Sequence, residues 1–297
     1  MPLLSVFAGS AFAAESQILL QRAHAVLVDA LAHEKGFVKV HAAEALIALG
    51  EKDGPRRVFR AELPDGNEVR PYRIGVWRVL AASSPSAADR AEWIARTEAV
   101  VLDRTTMDRL HAVESLGKLA HAPTAEAVLA AVRAMARETE AAAVFPRWVL
   151  HLAGEREALP AIVAALDSSD PIARLRAAYV LRWLRISDPA TRTAVARTAG
   201  REPSTEIGYP IIIGAAVALE ADPARTAAWV AVLREIVAGG AAGARYDACQ
   251  TLMRRETSTD PAPFAALLDS PEGDTRIGAA WAILHIAGRA KPASSAP

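Results

Sequence analysis

Apolar and polar positions along this chain recur with a helical period, and one ten-residue stretch carries the pattern most openly. In His41-Ala42-Ala43-Glu44-Ala45-Leu46-Ile47-Ala48-Leu49-Gly50, the apolar residues Ala42, Leu46 and Leu49 fall at i, i+4 and i+7 on one helix face. His41 and Glu44 share a neighbouring face. A near copy, His111-Ala112-Val113-Glu114-Ser115-Leu116-Gly117-Lys118-Leu119-Ala120, returns seventy residues later. Sliding this register along the chain finds similar Ala/Leu-rich helices with their His-equivalent position at 41, 75, 111, 145, 176, 211, 247 and 278, spaced 31 to 36 residues apart. Each follows a second apolar helix. The pattern predicts an all-α fold, an α-solenoid of about eight helical hairpins, in which each hairpin buries its apolar face against its neighbours.

Helix signals place the outer and inner helix of each hairpin at 15–32 and 37–49, 51–62 and 72–82, 87–103 and 106–120, 124–140 and 142–153, 156–167 and 171–184, 189–199 and 207–219, 223–238 and 242–254, and 261–268 and 274–286. Asp170-Pro171 and Asp188-Pro189 put proline where the first turn of a helix tolerates it, and His33-Glu34-Lys35-Gly36 supplies a glycine stop. Leu63-Pro64-Asp65-Gly66-Asn67 reads as a turn or loop inserted at one edge. Residues 15–288 form one continuous array on this reading, and 289–297 a disordered tail. The first fourteen residues are apolar and end in Ala11-Phe12-Ala13, like the cleavage end of a secretory signal whose basic start is missing. They are expected to be a truncated export signal, which would place the protein in the periplasm or outside the cell; the alternative is the first turn of a helix, in a cytoplasmic protein.

Three phrases resemble bacterial HEAT repeats, whose pattern is Asp/Pro, then Val-Arg, then Ala-Ala and an Ala-Leu pair. They are Phe37-Val38-Lys39-Val40-His41-Ala42-Ala43-Glu44-Ala45-Leu46, Asp170-Pro171-Ile172-Ala173-Arg174-Leu175-Arg176-Ala177-Ala178-Tyr179-Val180-Leu181 and Asp274-Thr275-Arg276-Ile277-Gly278-Ala279-Ala280-Trp281-Ala282-Ile283-Leu284. The resemblance covers residues 15 to 288 and implies a superhelix whose second helices line a concave face. It says little about activity, because such arrays include scaffolds, adaptors, bilin lyases and metal-dependent hydroxylases. On that implied face the His and Glu positions hold His41/Glu44, Gly75/Arg78, His111/Glu114, Phe145/Trp148, Arg176/Tyr179, Ile211/Gly214, Asp247/Gln250 and Gly278/Trp281. The first five pairs are mostly polar or aromatic and the sixth is apolar, so a ligand surface belongs to the N-terminal two-thirds.

Charge narrows the partner. The 34 basic residues balance 34 acidic ones, so no global field favours nucleic acid. No stretch is long and apolar enough to be an integral membrane segment. The lone cysteine, Cys249, excludes a disulfide framework and a thiolate metal cluster, and reads as a small core residue. Phosphate loops, GxSxG elbows and HExxH motifs are missing, so neither catalytic residues nor a cofactor are assigned. His41/Glu44 and His111/Glu114 have metal-ligand spacing, but two repeats place them roughly 16–20 Å apart, too far to share an ion.

The same residues support two further readings. In a structural ladder, Arg78 sits between Glu44 and Glu114 and pairs with both. As a ligand surface, planar cations stand beside aromatic faces: Arg73, Trp77 and Arg78; Arg147 and Trp148; and Arg176, Tyr179, Arg182 and Trp183. With His41, Glu44, His111 and Glu114 these positions, Trp183 aside, form the predicted ligand-binding set. The expected function is a binding or scaffold protein for a protein partner or an acidic or carbohydrate ligand. The alternative is a lyase-like or metal-dependent enzyme, or an accessory protein, acting on a carboxylate or carbohydrate at the same face.

Overall fold

A computed structural model describes residues 4–63, 72–186, 188–254 and 260–290, with side chains from residue 15 to residue 288 of these. The described residues are all-helical and contain no strand. The helices are α1 (Leu4–His33), α2 (Gly36–Ala48), α3 (Asp53–Ala61), α4 (Tyr72–Ser83), α5 (Ala87–Leu102), α6 (Arg109–Lys118), α7 (Glu126–Met135), α8 (Glu140–Leu152), α9 (Ala158–Ala164), α10 (Pro171–Leu184), α11 (Pro189–Arg201), α12 (Tyr209–Leu219), α13 (Pro223–Gly239), α14 (Ala242–Leu252), α15 (Ala262–Ala265) and α16 (Gly273–Ala290). They follow the expected hairpins closely. The apolar run from residue 4 to residue 14 is helical and forms the start of α1. The expected loop at 64–67 and tail at 291–297 lie outside the described residues.

Local chemistry explains the helix starts. Asp170 and Asp188 each accept a backbone N–H of the first turn, and Pro171 and Pro189 occupy positions whose N–H would have no helical partner. Ser86 caps α5 in the same way. The stops share a feature that the sequence pattern does not display. Backbone with positive φ occurs at Gly50, Ala120, Gly154 and Arg185, each nine residues after the His-equivalent positions 41, 111, 145 and 176. At the ends of α6 and α8 it closes the helix by bonds from the His121 N–H to the Leu116 carbonyl and from the Glu155 N–H to the Leu150 carbonyl.

Contacts group the chain into two compact units, residues 1–50 with 234–297, and residues 51–233. In the second unit each inner helix packs on the next, α4 on α6, α6 on α8, α8 on α10 and α10 on α12, with the outer helices against them. Its core includes Ala112, Val113, Leu116, Val144, Trp148, Val149, Ala177, Ala178 and Leu181. In the first unit α14 packs on α16, and α16 on both α1 and α2. The first hairpin therefore lies against the last. A Cβ on Gly273 would fall 2.6 Å from Cγ1 of Val38, so the absent side chain admits α2. Arg22 pairs with Asp269, Glu34 with Arg276 and His41 with Asp274 across this junction. Cys249 is buried against Gly278, and burial pushes its thiol up to about 12, as expected of a packing residue.

Two substitutions at the end of α6 should act in opposite directions. Gly117→Ala would gain about 1 kcal/mol of helix propensity, but its Cβ would lie 2.5 Å from the Trp148 ring; overpacking dominates, and a net loss of about 1–3 kcal/mol is expected. Exposed Ala120, at φ 50, should gain up to about 1 kcal/mol on replacement by glycine, which relieves the left-handed strain. Urea denaturation of both variants measures this. Stabilisation by Gly117→Ala, or destabilisation by Ala120→Gly, would contradict the packing described.

Candidate ligand-binding site

The inner helices of the second unit bring one carboxylate and several cations together. Glu114 stands one helical turn before Lys118, the i,i+4 spacing that lets the two side chains meet, and Nζ of Lys118 lies 3.1 Å from its Oε1. Tyr179 of α10 donates its hydroxyl to the same oxygen at 3.1 Å. From α4, Arg78 donates to Oγ of Ser115 at 2.8 Å and lies 3.3 Å from Nε2 of His111. Arg78 is buried, and its guanidinium therefore needs these partners.

Aromatic rings form the other half of the cluster. Tyr179 meets Phe145 and Trp148 edge to face at centroid distances of 6.0 and 6.4 Å, and Trp183 lies 6.2 Å from both Tyr179 and Trp148. Lys118 and Arg182 approach the Tyr179 ring at 5.7 and 5.6 Å. Arg176 lies over Phe145 at 5.2 Å and donates to the Ala141 carbonyl at 2.7 Å. These cation–π distances fall inside the usual reach of about 6 Å. Trp148 is sealed in the slot left by Gly117, whereas Trp183 is 41% exposed and forms the open end of the aromatic row.

The field of the cluster is legible in its titrating groups. Burial opposes the charge on Glu114, but Lys118 and Arg78 outweigh it and hold the carboxyl down at about 2. Burial pushes the Tyr179 hydroxyl up to about 12, with Glu114 adding to the effect. Burial also lowers the pKa of Arg176, while Glu114 and Asp170 favour its charge. At neutral pH the arrangement is a fixed carboxylate, a phenol and a set of cations.

Of the predicted set, Arg78, His111, Glu114, Arg176, Tyr179 and Arg182 join this cluster. The others do not. Arg73 gives Asp108 two hydrogen bonds, of 2.7 and 3.1 Å, and covers the buried Trp77 ring at 5.5 Å. Arg147 turns toward the Ala161 carbonyl of α9 at 3.4 Å, and Trp148 is core. His41 and Glu44 belong to the first unit, where Nδ1 of His41 lies 2.8 Å from Oδ1 of Asp274 and its ring stacks on Tyr246 at 4.7 Å. Of the expected Glu44–Arg78–Glu114 ladder, the second unit holds Arg78 and Glu114, where Arg78 acts on the carboxylate through its charge and Lys118 is its direct ion-pair partner. Lys118 escaped the sequence reading although its spacing from Glu114 announced it. Asp108 did too, one repeat length after Arg73. Among the described residues no three His, Cys, Asp or Glu side chains gather to hold a metal ion, and no helix is long and apolar enough to cross a membrane. No protein-family model matches the chain, and no curated protein matches it.

The depressed Glu114 pKa has a measurable consequence. A folded-state pKa of about 2, against 4.5 for an ordinary Glu, means stabilisation that is fully present above pH 4.5 and lost as pH falls toward 2, of order 3 kcal/mol. Urea midpoints between pH 7 and 2.5 should decline less steeply for Glu114→Gln than for the wild type. Parallel curves would show that the cations do not stabilise this carboxylate.

Proposed function

We propose that the chain is a HEAT-like α-solenoid acting as a binding or scaffold module, exported to the periplasm or beyond, and that the cluster around Glu114 receives an acidic segment of a partner protein. The repeat reading is supported by consecutive inner helices that pack on one another and by left-handed closures recurring at one repeat position. The export reading rests on the apolar start and Ala11-Phe12-Ala13.

One observation carries the functional reading: exposed Trp183 adjoins Tyr179, and Lys118 and Arg182 approach the Tyr179 ring. A planar apolar surface beside fixed cations suits an extended acidic peptide, which lays stems on the rings and carboxylates on the cations. Neither Glu114 nor Tyr179 titrates near neutrality, so the cluster is better suited to recognising charge than to transferring protons. With a balanced chain, this local excess is expected to be specific and sensitive to salt.

Titration calorimetry with an oligoglutamate peptide checks this. Arg182→Ala and Trp183→Ala should each weaken binding by about 1–2 kcal/mol, with the affinity falling as salt rises. Arg96→Ala, on outer helix α5 where Arg96 pairs with Glu92, should bind as the wild type does. Equal binding by all four proteins would remove the proposal.

A further inference from the structure

Resting on the reading just given, a comparison of the buried ion pairs of the second unit singles out Glu114. Asp108 receives two guanidinium N–H groups from Arg73, and Glu202 two from Arg174; their side chains are only 2% and 1% exposed. These are closed, two-pronged pairs that lock one repeat to the next. Glu114 is held differently. Lys118 and Tyr179 both bind its Oε1, no hydrogen bond to its Oε2 is found among the described residues, and its side chain is 19% exposed. Arg78 and Arg176 act on the same carboxylate from two other helices.

We propose that Glu114 is a built-in stand-in for the ligand: it occupies a carboxylate seat formed by Lys118 and Tyr179, and a Glu or Asp side chain of the acidic partner takes that seat when it binds. The seat suits a carboxylate because one already sits there, held by an ammonium and a phenol on a single oxygen. Exchange requires only rotation about the side-chain bonds of Glu114, which is partly open to solvent. It leaves the backbone of α6 in place. The displaced carboxylate remains near Arg78, which reaches Ser115 and His111 on the same helix, so it keeps a compensating charge. Trp183 and Arg182, beyond the Tyr179 ring, would then hold the flanking residues of the bound segment. The affinity of the face is on this account deliberately limited, since each ligand must compete with a tethered carboxylate at high effective concentration.

The test is binding of an oligoglutamate peptide to wild type, Glu114→Gln and Glu114→Ala, with melting curves as the check on folding. Removing the competing charge should tighten binding about tenfold or more, with the larger gain at low salt. If both variants bind the peptide no better than the wild type while Trp183→Ala still weakens it, the exchange is wrong and the ligand face stands. If Trp183→Ala and Arg182→Ala change nothing either, the ligand face itself is wrong. An oligothymidylate that gains as much from Glu114→Gln as the peptide does would overturn the peptide carboxylate as occupant. Should the variants fold poorly, carbon-13 NMR of the wild-type Glu carboxyls is an independent measure. Saturating peptide should move the Glu114 titration from about 2 toward the ordinary Glu range, and an unmoved titration would overturn the exchange.

Discussion

Alanine at the helix contacts is the constraint on which the rest of the second unit depends. Ala112, Ala143, Ala173, Ala177, Ala178 and Ala215 are all fully buried on inner helices, and side chains this short let neighbouring helices approach at the near end of the usual range. Polar residues on the adjoining face are thereby carried against the next helix, where lost hydration must be replaced by partners. The replies come from about one repeat further on: Arg73 finds Asp108, Arg78 finds Ser115 and Arg174 finds Glu202. Close packing and charge pairing are thus one phenomenon seen at adjacent positions of each helix.

The same logic accounts for the first unit. A repeat buries its apolar face only against a neighbour, so the first and last hairpins of a series each retain an uncovered side. Here α16 packs on α14 and also on α1 and α2. Periodicity shows that each helix has an apolar face; it says nothing of which helix covers it. His41 was legible as a polar inner-helix residue, yet Asp274, 233 residues away, and Tyr246 became visible as its partners only in three dimensions.

Within the hairpins the sequence was informative wherever a local rule applied. The start of α10 follows from Asp170-Pro171, and the apolar stripe locates α6 to within a few residues. The candidate site was legible as a face rather than as a set of contacts. Trp148 illustrates the difference: on an inner helix it resembles a ligand contact, but Gly117 opens a slot that takes its ring into the core. That slot had a sequence signal, because the repeat copy places glycine where the first copy has Ile47, and a glycine inside a helix often marks close approach. Lys118 likewise followed from i,i+4 spacing. The turn of Arg147 toward α9 had no such signal, since its orientation depends on how α8 is rotated against its neighbours.

Under the proposed function, Glu114 connects stability with recognition. Arg78, Lys118 and Arg176 all act on it, and without its charge these cations would face one another across a poorly hydrated space. Their mutual repulsion would destabilise the packing that brings them together. If the cations serve an acidic ligand as proposed, the unit must remain folded while that ligand is absent, and a carboxylate of its own meets that requirement. The same carboxylate weakens the attraction offered to a partner. Stability of the free protein and affinity for the ligand then change in opposite directions with the charge at residue 114, a trade-off of the kind expected where one set of side chains serves both folding and binding.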